Sequence, residues 1–212
     1  MPFEPTVRHV ERAMALRAFD GRSAQRAVEP TDRGPLPPGS TDADVRVAAA
    51  LCYVFPDAGG RLVFPLTRRH AGLREQPGQI ALPGGRPEPG EPLEATAWRE
   101  AHEEIGLSRA ETARVLGVLH EVYIPVTHTR LVVHVAVGPA PGPLAPADGE
   151  VEAIGLAALA ELMDPRRRVE RTLVLRGIAR TVPHVQLGPF EVWGATAMAL
   201  AELGERLRLA IA

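Results

Sequence analysis

Residues Gly84 to Leu107 read GGRPEPGEPLEATAWREAHEEIGL. Glycine and proline crowd the first part, and both are absent between Pro92 and Gly106. Proline suits a first helical position and glycine a C-terminal cap, so a helix is predicted from near Pro92 to Gly106. At about 100° per residue, Glu100, Glu103 and Glu104 fall within roughly 100° of arc. Carboxylates at those spacings repel one another by a few tenths of a kcal/mol per pair. Ala97, Trp98, Ala101 and Ile105 occupy the adjoining arc and are predicted to pack on a sheet. The acidic stripe is then either a solvated face or a holder for a cation. Hard divalent ions such as Mg²⁺ or Mn²⁺ prefer such oxygen clusters.

The surrounding chain has 212 residues, 45% of them hydrophobic, enough for one domain with extensions. A formal charge of −2 argues against binding nucleic acid through net charge. All 24 basic side chains other than histidine are Arg. The single cysteine, Cys52, lies in an apolar run and is predicted to be a small core residue. The N-terminus, MPFEPTVRHVERAM, carries charges where a signal peptide needs an apolar core. The longest purely apolar run, VAAALCYVFP from Val47, is half of what a membrane span of about 20 residues needs. A soluble cytoplasmic protein that does not engage a membrane is the expectation.

Working toward the N-terminus, residues about 6–28 read as helix, with Val7, Val10, Met14 and Ala18 at helical spacing. Residues 29–44 hold only breakers and polar side chains with few exceptions, so 1–44 is expected to form a helical arm and linker before a domain at 45–212. Strands at about 46–55 and 61–69 around PDAGG make a hairpin. Beyond the helix, strands are expected at 114–123 and 130–137, and a strand running into a helix at 150–162. RRRVER at Arg166 reads as a solvated loop. The tail is an amphipathic helix with Met198, Leu200, Leu203 and Leu207 facing the core.

The spacing around the acidic stripe is specific. From Gly85, five residues lead to Glu91 and seven more to Arg99-Glu100, followed by Ala101, His102, Glu103-Glu104, Ile105, Gly106 and Leu107. This resembles the signature box of the Nudix hydrolase family at all of its invariant positions. Ala101 is smaller than the aliphatic residue usual there. The resemblance implies an α/β (α+β) fold, an α/β/α sandwich with a mixed, curved sheet between helices. It also implies a metal-dependent hydrolase of nucleoside diphosphates linked to another moiety, with Mg²⁺ or Mn²⁺ as cofactor. On that resemblance Glu100 and Glu104 are the principal metal ligands, and Glu103 is a further ligand or a water-activating group. The Gly84 carbonyl is the backbone ligand. Arg99 and Glu91 either orient these groups or form a plain salt bridge closing the loop onto the helix.

The segment before the box bears on substrate. PLTRRHAGLREQPGQIALPGG, from Pro65, resembles the additional motif of the coenzyme A pyrophosphatase branch. Leu66, Thr67, Arg69, Arg74, Gly78, Pro83, Gly84 and Gly85 are in register, while Pro65, His70, Gln76 and Leu82 depart from it. YIPVTHTRLVVHVAVG and FEVWGATAMAL are also similar to segments of that branch. Arg69, Arg74 and Gly78 are thereby assigned to substrate binding. A guanidinium fork pairs two phosphate oxygens at once, which suits a ligand with phosphates at two places. His70, His102, His120 and His128 do not fall at zinc spacing and are not expected to be ligands. Glu150 is either a late acidic residue near the metals or an ordinary strand-start glutamate.

The reading is hydrolysis of coenzyme A or acyl-CoA at the diphosphate, giving adenosine 3′,5′-bisphosphate and 4′-phosphopantetheine or its acyl form. The same chemistry on ADP-ribose, a dinucleotide or a damaged nucleoside triphosphate is the enzymatic rival. A non-catalytic nucleotide-sensing domain is the rival from another class. The expected partner is a small nucleotide and not a nucleic acid, with homodimer formation left open.

Overall fold

β1 (Arg46–Pro56) is buried along nearly its whole length, as its apolar run requires. It is the centre of the molecule. In the computed structural model, which describes residues 3–30, 45–175 and 177–211, β1 pairs in parallel with β7 (Thr129–Val137) from Arg46↔Thr129 to Val54↔Val137. A parallel pair needs a crossover. The crossover here carries the helix foreseen from the sequence, α3 (Leu93–Ile105), with Pro92 at its N-cap and Gly106 left-handed at φ 69°.

The other edge of β1 changes partner along its length. At Ala49 and Ala50 it pairs with the two-residue β4 (Gly84–Gly85), and at Phe55 and Pro56 with β2 (Leu62–Arg69). β2 therefore diverges from β1 and pairs instead with β3 (Ile80–Ala81) and β8 (Val151–Ala158). β5 (Arg114–Val118) and β6 (Val122–Ile124) run antiparallel to β7, completing a mixed sheet of eight strands. The single strand expected at 114–123 is thus two.

Alternation along β1 sends side chains to two cores. Ala49, Leu51, Tyr53 and Phe55 meet Ala97, Trp98, Ala101 and Ile105 of α3. Ala50, Cys52 and Val54 meet Leu200, Leu203 and Leu207 of the closing helix α4 (Gly194–Ile211), where Met198 is also buried. The sheet lies between helices, as the sandwich reading requires. Burial pushes the Cys52 thiol up to about 12, so it stays protonated and packs as a small apolar group.

Three expectations are corrected. The helix read at 6–28 is two, α1 (Val7–Ala15) and α2 (Gly21–Arg26), separated where Leu16 turns extended. Arg206 of α4 donates to the carbonyls of Ala13 and Leu16 and lies over the Phe19 ring, so the break is made by tertiary contacts. The helix read to follow β8 is a 3-10 segment, Leu159–Met163. RRRVER is not a loop: Arg168–Arg171 begins β9 (Arg168–Leu175), which pairs with β10 (Ile178–Leu187), and β10 with β11 (Phe190–Trp193), as a separate antiparallel sheet. Of the linker expected at 29–44, residues 31–44 lie outside the described residues. No helix among the described residues is long and apolar enough to cross a membrane.

Candidate active site

Glu91 precedes α3 and fixes the loop to it. Its carboxylate takes two bonds from Arg99, Nε to Oε1 at 2.9 Å and Nη2 to Oε2 at 3.0 Å. It also accepts from the Thr96 hydroxyl at 2.8 Å and the Glu88 amide at 3.0 Å. The Arg99 guanidinium, with the amide beside it, holds Glu91 down to about 2.

Arg99 also answers the repulsion among the glutamates. Its Nη1 donates to Glu100 Oε1 at 3.0 Å and Glu103 Oε2 at 2.8 Å, and its Nη2 to the Arg86 carbonyl at 3.0 Å. With the two bonds to Glu91, all of its N–H donors are used. The pairing left open in the sequence is therefore formed, and it reaches further than one salt bridge. Arg99 locks the Gly-Pro loop, the helix and two of the three stripe carboxylates together.

The three carboxylates differ in surroundings. The Glu103 side chain is 54% exposed. Glu100 is partly buried, and burial, opposed by Arg99, raises its pKa. Glu104 is 6% exposed and accepts from the Gly84 amide at 3.2 Å. Burial pushes it up to about 7, against the Gly84 hydrogen bond and the field of Arg69, with Glu100 and Glu150 adding repulsion. Glu150 thus stands in electrostatic reach of both Glu100 and Glu104.

Two glycines allow this approach. A Cβ on Gly84 would lie 2.6 Å from the Ala50 Cα, inside the β1–β4 pairing. A Cβ on Gly85 would lie 2.6 Å from Glu100 Oε2. Gly84 thus meets Glu104 through its amide, and Gly85 leaves the space that the Glu100 carboxylate fills.

Among the described residues, no three His, Cys, Asp or Glu side chains converge closely enough to hold a metal ion. Glu100 and Glu103 turn instead to Arg99. The donor chemistry nevertheless fits a hard divalent cation: Glu100 and Glu104 offer carboxylate oxygens whose charged forms burial opposes, with Glu150 near. A cation among them would relieve that cost.

A cavity of about 780 Å³ adjoins this group, lined by Gly84, Gly85 and Arg86. Its volume is that of a ligand site. Arg69, at the end of β2, lines it and has its Nε buried without a hydrogen-bond partner. Arg74 is exposed in the loop 70–79 and is not among the lining residues. Gly78, at φ 67°, donates to the Arg69 carbonyl at 3.1 Å and so shapes the turn that follows β2. The four histidines set aside as ligands have other partners: His70 the Gly72 amide, His102 the Ser108 hydroxyl, His120 Glu202, and His128 the Tyr123 hydroxyl.

Sequence reasoning missed Arg86, which lines the cavity and pairs with Glu75 at 3.1 Å. Its place directly after Gly85 was the available signal. It also missed Trp193 and Arg180, which line the cavity too and belong to the unforeseen sheet.

Comparison with known proteins agrees with the geometry. Residues 45–176 match the NUDIX domain family. Nudix hydrolase 3 of Caenorhabditis elegans is 38% identical over 82 residues, 39% of this chain and only 34% of the nematode protein. An "Uncharacterized Nudix hydrolase NudL" of Enterobacter sp. (strain 638) is 32% identical over 139 residues, 65% of this chain and 71% of the relative. The crystal structure of RenU, a Nudix hydrolase from M. smegmatis, superposes with a TM-score of 0.50 at 25% identity, covering 78% of this chain and 85% of RenU. A MutT/nudix family protein from Enterococcus faecalis shares the fold at a TM-score of 0.53 and 15% identity, covering 96% of this chain and 75% of its own. With the box glutamates, the sandwich and the domain match in agreement, the chain belongs to the Nudix family.

Proposed function

We propose that the protein hydrolyses the diphosphate of coenzyme A or an acyl-CoA, releasing adenosine 3′,5′-bisphosphate and 4′-phosphopantetheine or its acyl form. The observation that carries the diphosphatase chemistry is the buried Glu104 carboxyl beside Glu100, at the edge of a cavity that Arg69 and Arg86 line, and the motif from Pro65 that places Arg69, Arg74 and Gly78 in register supports the choice of substrate. Carboxylates opposed by burial are built to take a cation, and guanidinium groups beside them are built to take phosphate.

Glu100 and Glu104 are the principal metal ligands in this reading, with the Gly84 carbonyl beside them. Glu103, the most exposed of the three, is a further ligand or orients the attacking water. Bound Mg²⁺ or Mn²⁺ would neutralise phosphate charge and acidify a coordinated water. Arg99 and Glu91 hold the glutamates in place. Arg69 and Arg86 orient the phosphates. Arg74 is within the motif but exposed and outside the cavity lining, so its part in binding rests on the motif alone. In the reaction, a water oxygen bonds to one phosphorus, the bridging P–O bond breaks, and the leaving phosphate keeps the bridging oxygen. Small molecules of this kind need no nucleic-acid or membrane contact.

The experiment is a panel of CoA, acyl-CoA, ADP-ribose, a dinucleoside polyphosphate and a nucleoside triphosphate with Mg²⁺ or Mn²⁺, scored by phosphate-containing products. Cleavage of CoA or its thioester to the 3′,5′-bisphosphate is expected. Rapid cleavage of ADP-ribose with CoA intact would overturn the choice of substrate. Stabilisation by nucleotide without turnover would mark a sensing domain instead.

A further inference from the structure

Glu75 is the one carboxylate among the described residues lining the cavity, where it stands with Arg69 and Arg86. It comes from the loop 70–79 between β2 and β3, and three arginines take hold of it. Arg86 Nη2 donates to its Oε2 at 3.1 Å and to its Oε1 at 3.4 Å. Arg46 Nη1 lies 3.7 Å from Oε1, and Arg69 Nη2 donates to the Glu75 carbonyl at 3.4 Å.

The Glu75 and Arg86 side chains are each 52% exposed, so water reaches the pair and it adds little to stability. Its place matters more than its strength. Arg86 follows Gly85 directly, and Arg99 Nη2 holds its carbonyl, so its backbone is fixed beside the glutamates. Arg86 lines the cavity, yet the anion it holds belongs to the protein. A carboxylate on a guanidinium group makes the contact that a phosphate oxygen would make.

The turns around this contact are strained. Two non-glycine residues among the described ones stand on left-handed backbone, Gln76 at φ 53° and His128 at φ 52°. Gln76 follows Glu75 and lines the cavity, as do Thr127 and Thr129 on either side of His128. Arg46 bridges the two turns: its amide donates to the His128 carbonyl at 3.0 Å, and its guanidinium reaches Glu75. Backbone strain of this kind concentrates at ligand clamps. Arg46 is itself outside the lining, so it offers Glu75 a partner when a ligand takes Arg86.

We propose that Glu75 is a specificity-determining residue: it fills the anion seat on Arg86 in the free protein and yields it only to a ligand that brings phosphate there. This rests on the reading of the cavity as a diphosphate site and holds whichever diphosphate compound fills it.

The test titrates inorganic pyrophosphate with Mg²⁺ into wild type, Glu75→Gln, Arg86→Gln and the double variant by calorimetry, and measures KM for CoA alongside. Glu75→Gln should bind pyrophosphate about three- to fivefold more tightly, the size of a strong exposed ion pair, and its KM for CoA should fall. In the Arg86→Gln background the same change should alter binding by less than about twofold. Unchanged or weaker binding by Glu75→Gln would overturn the inference, weaker binding showing that Glu75 only holds the loop. A gain of equal size without Arg86 would overturn it too, because the effect would then be the general field of a lost negative charge. CoA left intact while the pyrophosphate pattern holds would overturn the choice of substrate and leave Glu75 its role. Pyrophosphate that binds none of the four proteins would overturn both.

Discussion

The Gly84 amide and the Glu104 carboxylate, twenty residues apart in the chain, meet at 3.2 Å. That contact joins the two-residue pairing of β1 with β4 to the acidic face of α3. It sets a buried carboxyl on the backbone amide of a residue that must be glycine, because β1 leaves no room there for a Cβ.

Gly84 and Gly85 should therefore respond differently to alanine. At Gly84 the new methyl group meets β1 backbone, which cannot move without opening the sheet. Gly84→Ala should cost about 1–3 kcal/mol in urea unfolding and lose activity with it. At Gly85 the atoms nearest the methyl group are those of the Glu100 carboxylate. Gly85→Ala should lose activity with little change in stability.

Arg99→Lys keeps the charge but not the planar fork that serves Glu91, Glu100 and Glu103 together. Turnover should fall by about 10–100-fold, the usual cost of losing a group that orients ligands. Steady-state kinetics at saturating Mg²⁺ would show it; a rate within twofold of wild type would contradict the role.

Glu100→Gln and Glu104→Gln should each lower kcat by at least about a hundredfold, equivalent to roughly 2.7 kcal/mol of lost barrier reduction. Circular dichroism should show an intact fold, because an amide fills the same space.

Without metal, stability should depend on Glu104. Its folded pKa, about 7, stands above the ordinary 4.5, so the folded state holds a proton that the unfolded chain releases. Its contribution is complete below pH 4.5 and is lost as pH rises through 7, up to roughly 3 kcal/mol. Glu91, held at about 2, titrates below this window. Unfolding free energies of wild type in chelator should fall across the window, and those of Glu104→Gln should fall less.

A second buried network lies away from the glutamates. Glu202, fully buried, accepts from Gln25 at 2.9 Å, the His120 amide at 3.0 Å and Arg206 at 2.9 Å. It ties α2 and the β5–β6 turn to α4. Glu202→Ala leaves Arg206 buried without its carboxylate and should cost about 3–5 kcal/mol in chemical unfolding.

The sequence was most informative where local rules and tertiary contacts agree. Pro92 and Gly106 mark α3, and the apolar run marks β1, because capping and burial act there without competition. The β9–β11 sheet was hidden because RVERTLVL mixes arginine and glutamate into a strand whose charges face outward or pair across it, as Arg171 does with Glu191 at 3.0 Å. The break between α1 and α2 was invisible because Arg206, nearly two hundred residues away, takes the carbonyls that would have continued the helix. Glu100, Glu103 and Glu104 were readable as a set, but their inequality was not. It arises first from burial of Glu104 beneath the folded sheet, which the Gly84 amide and the Arg69 field oppose and Glu100 and Glu150 reinforce.

Calorimetric titration of Mn²⁺ or Mg²⁺ into the protein probes the acidic face most directly. Saturable uptake that weakens in Glu100→Gln and in Glu104→Gln is the expected outcome. No uptake by wild type, with or without nucleotide, would mean that Glu100 serves only to hold Arg99 and Glu104 only to hold the Gly84 amide.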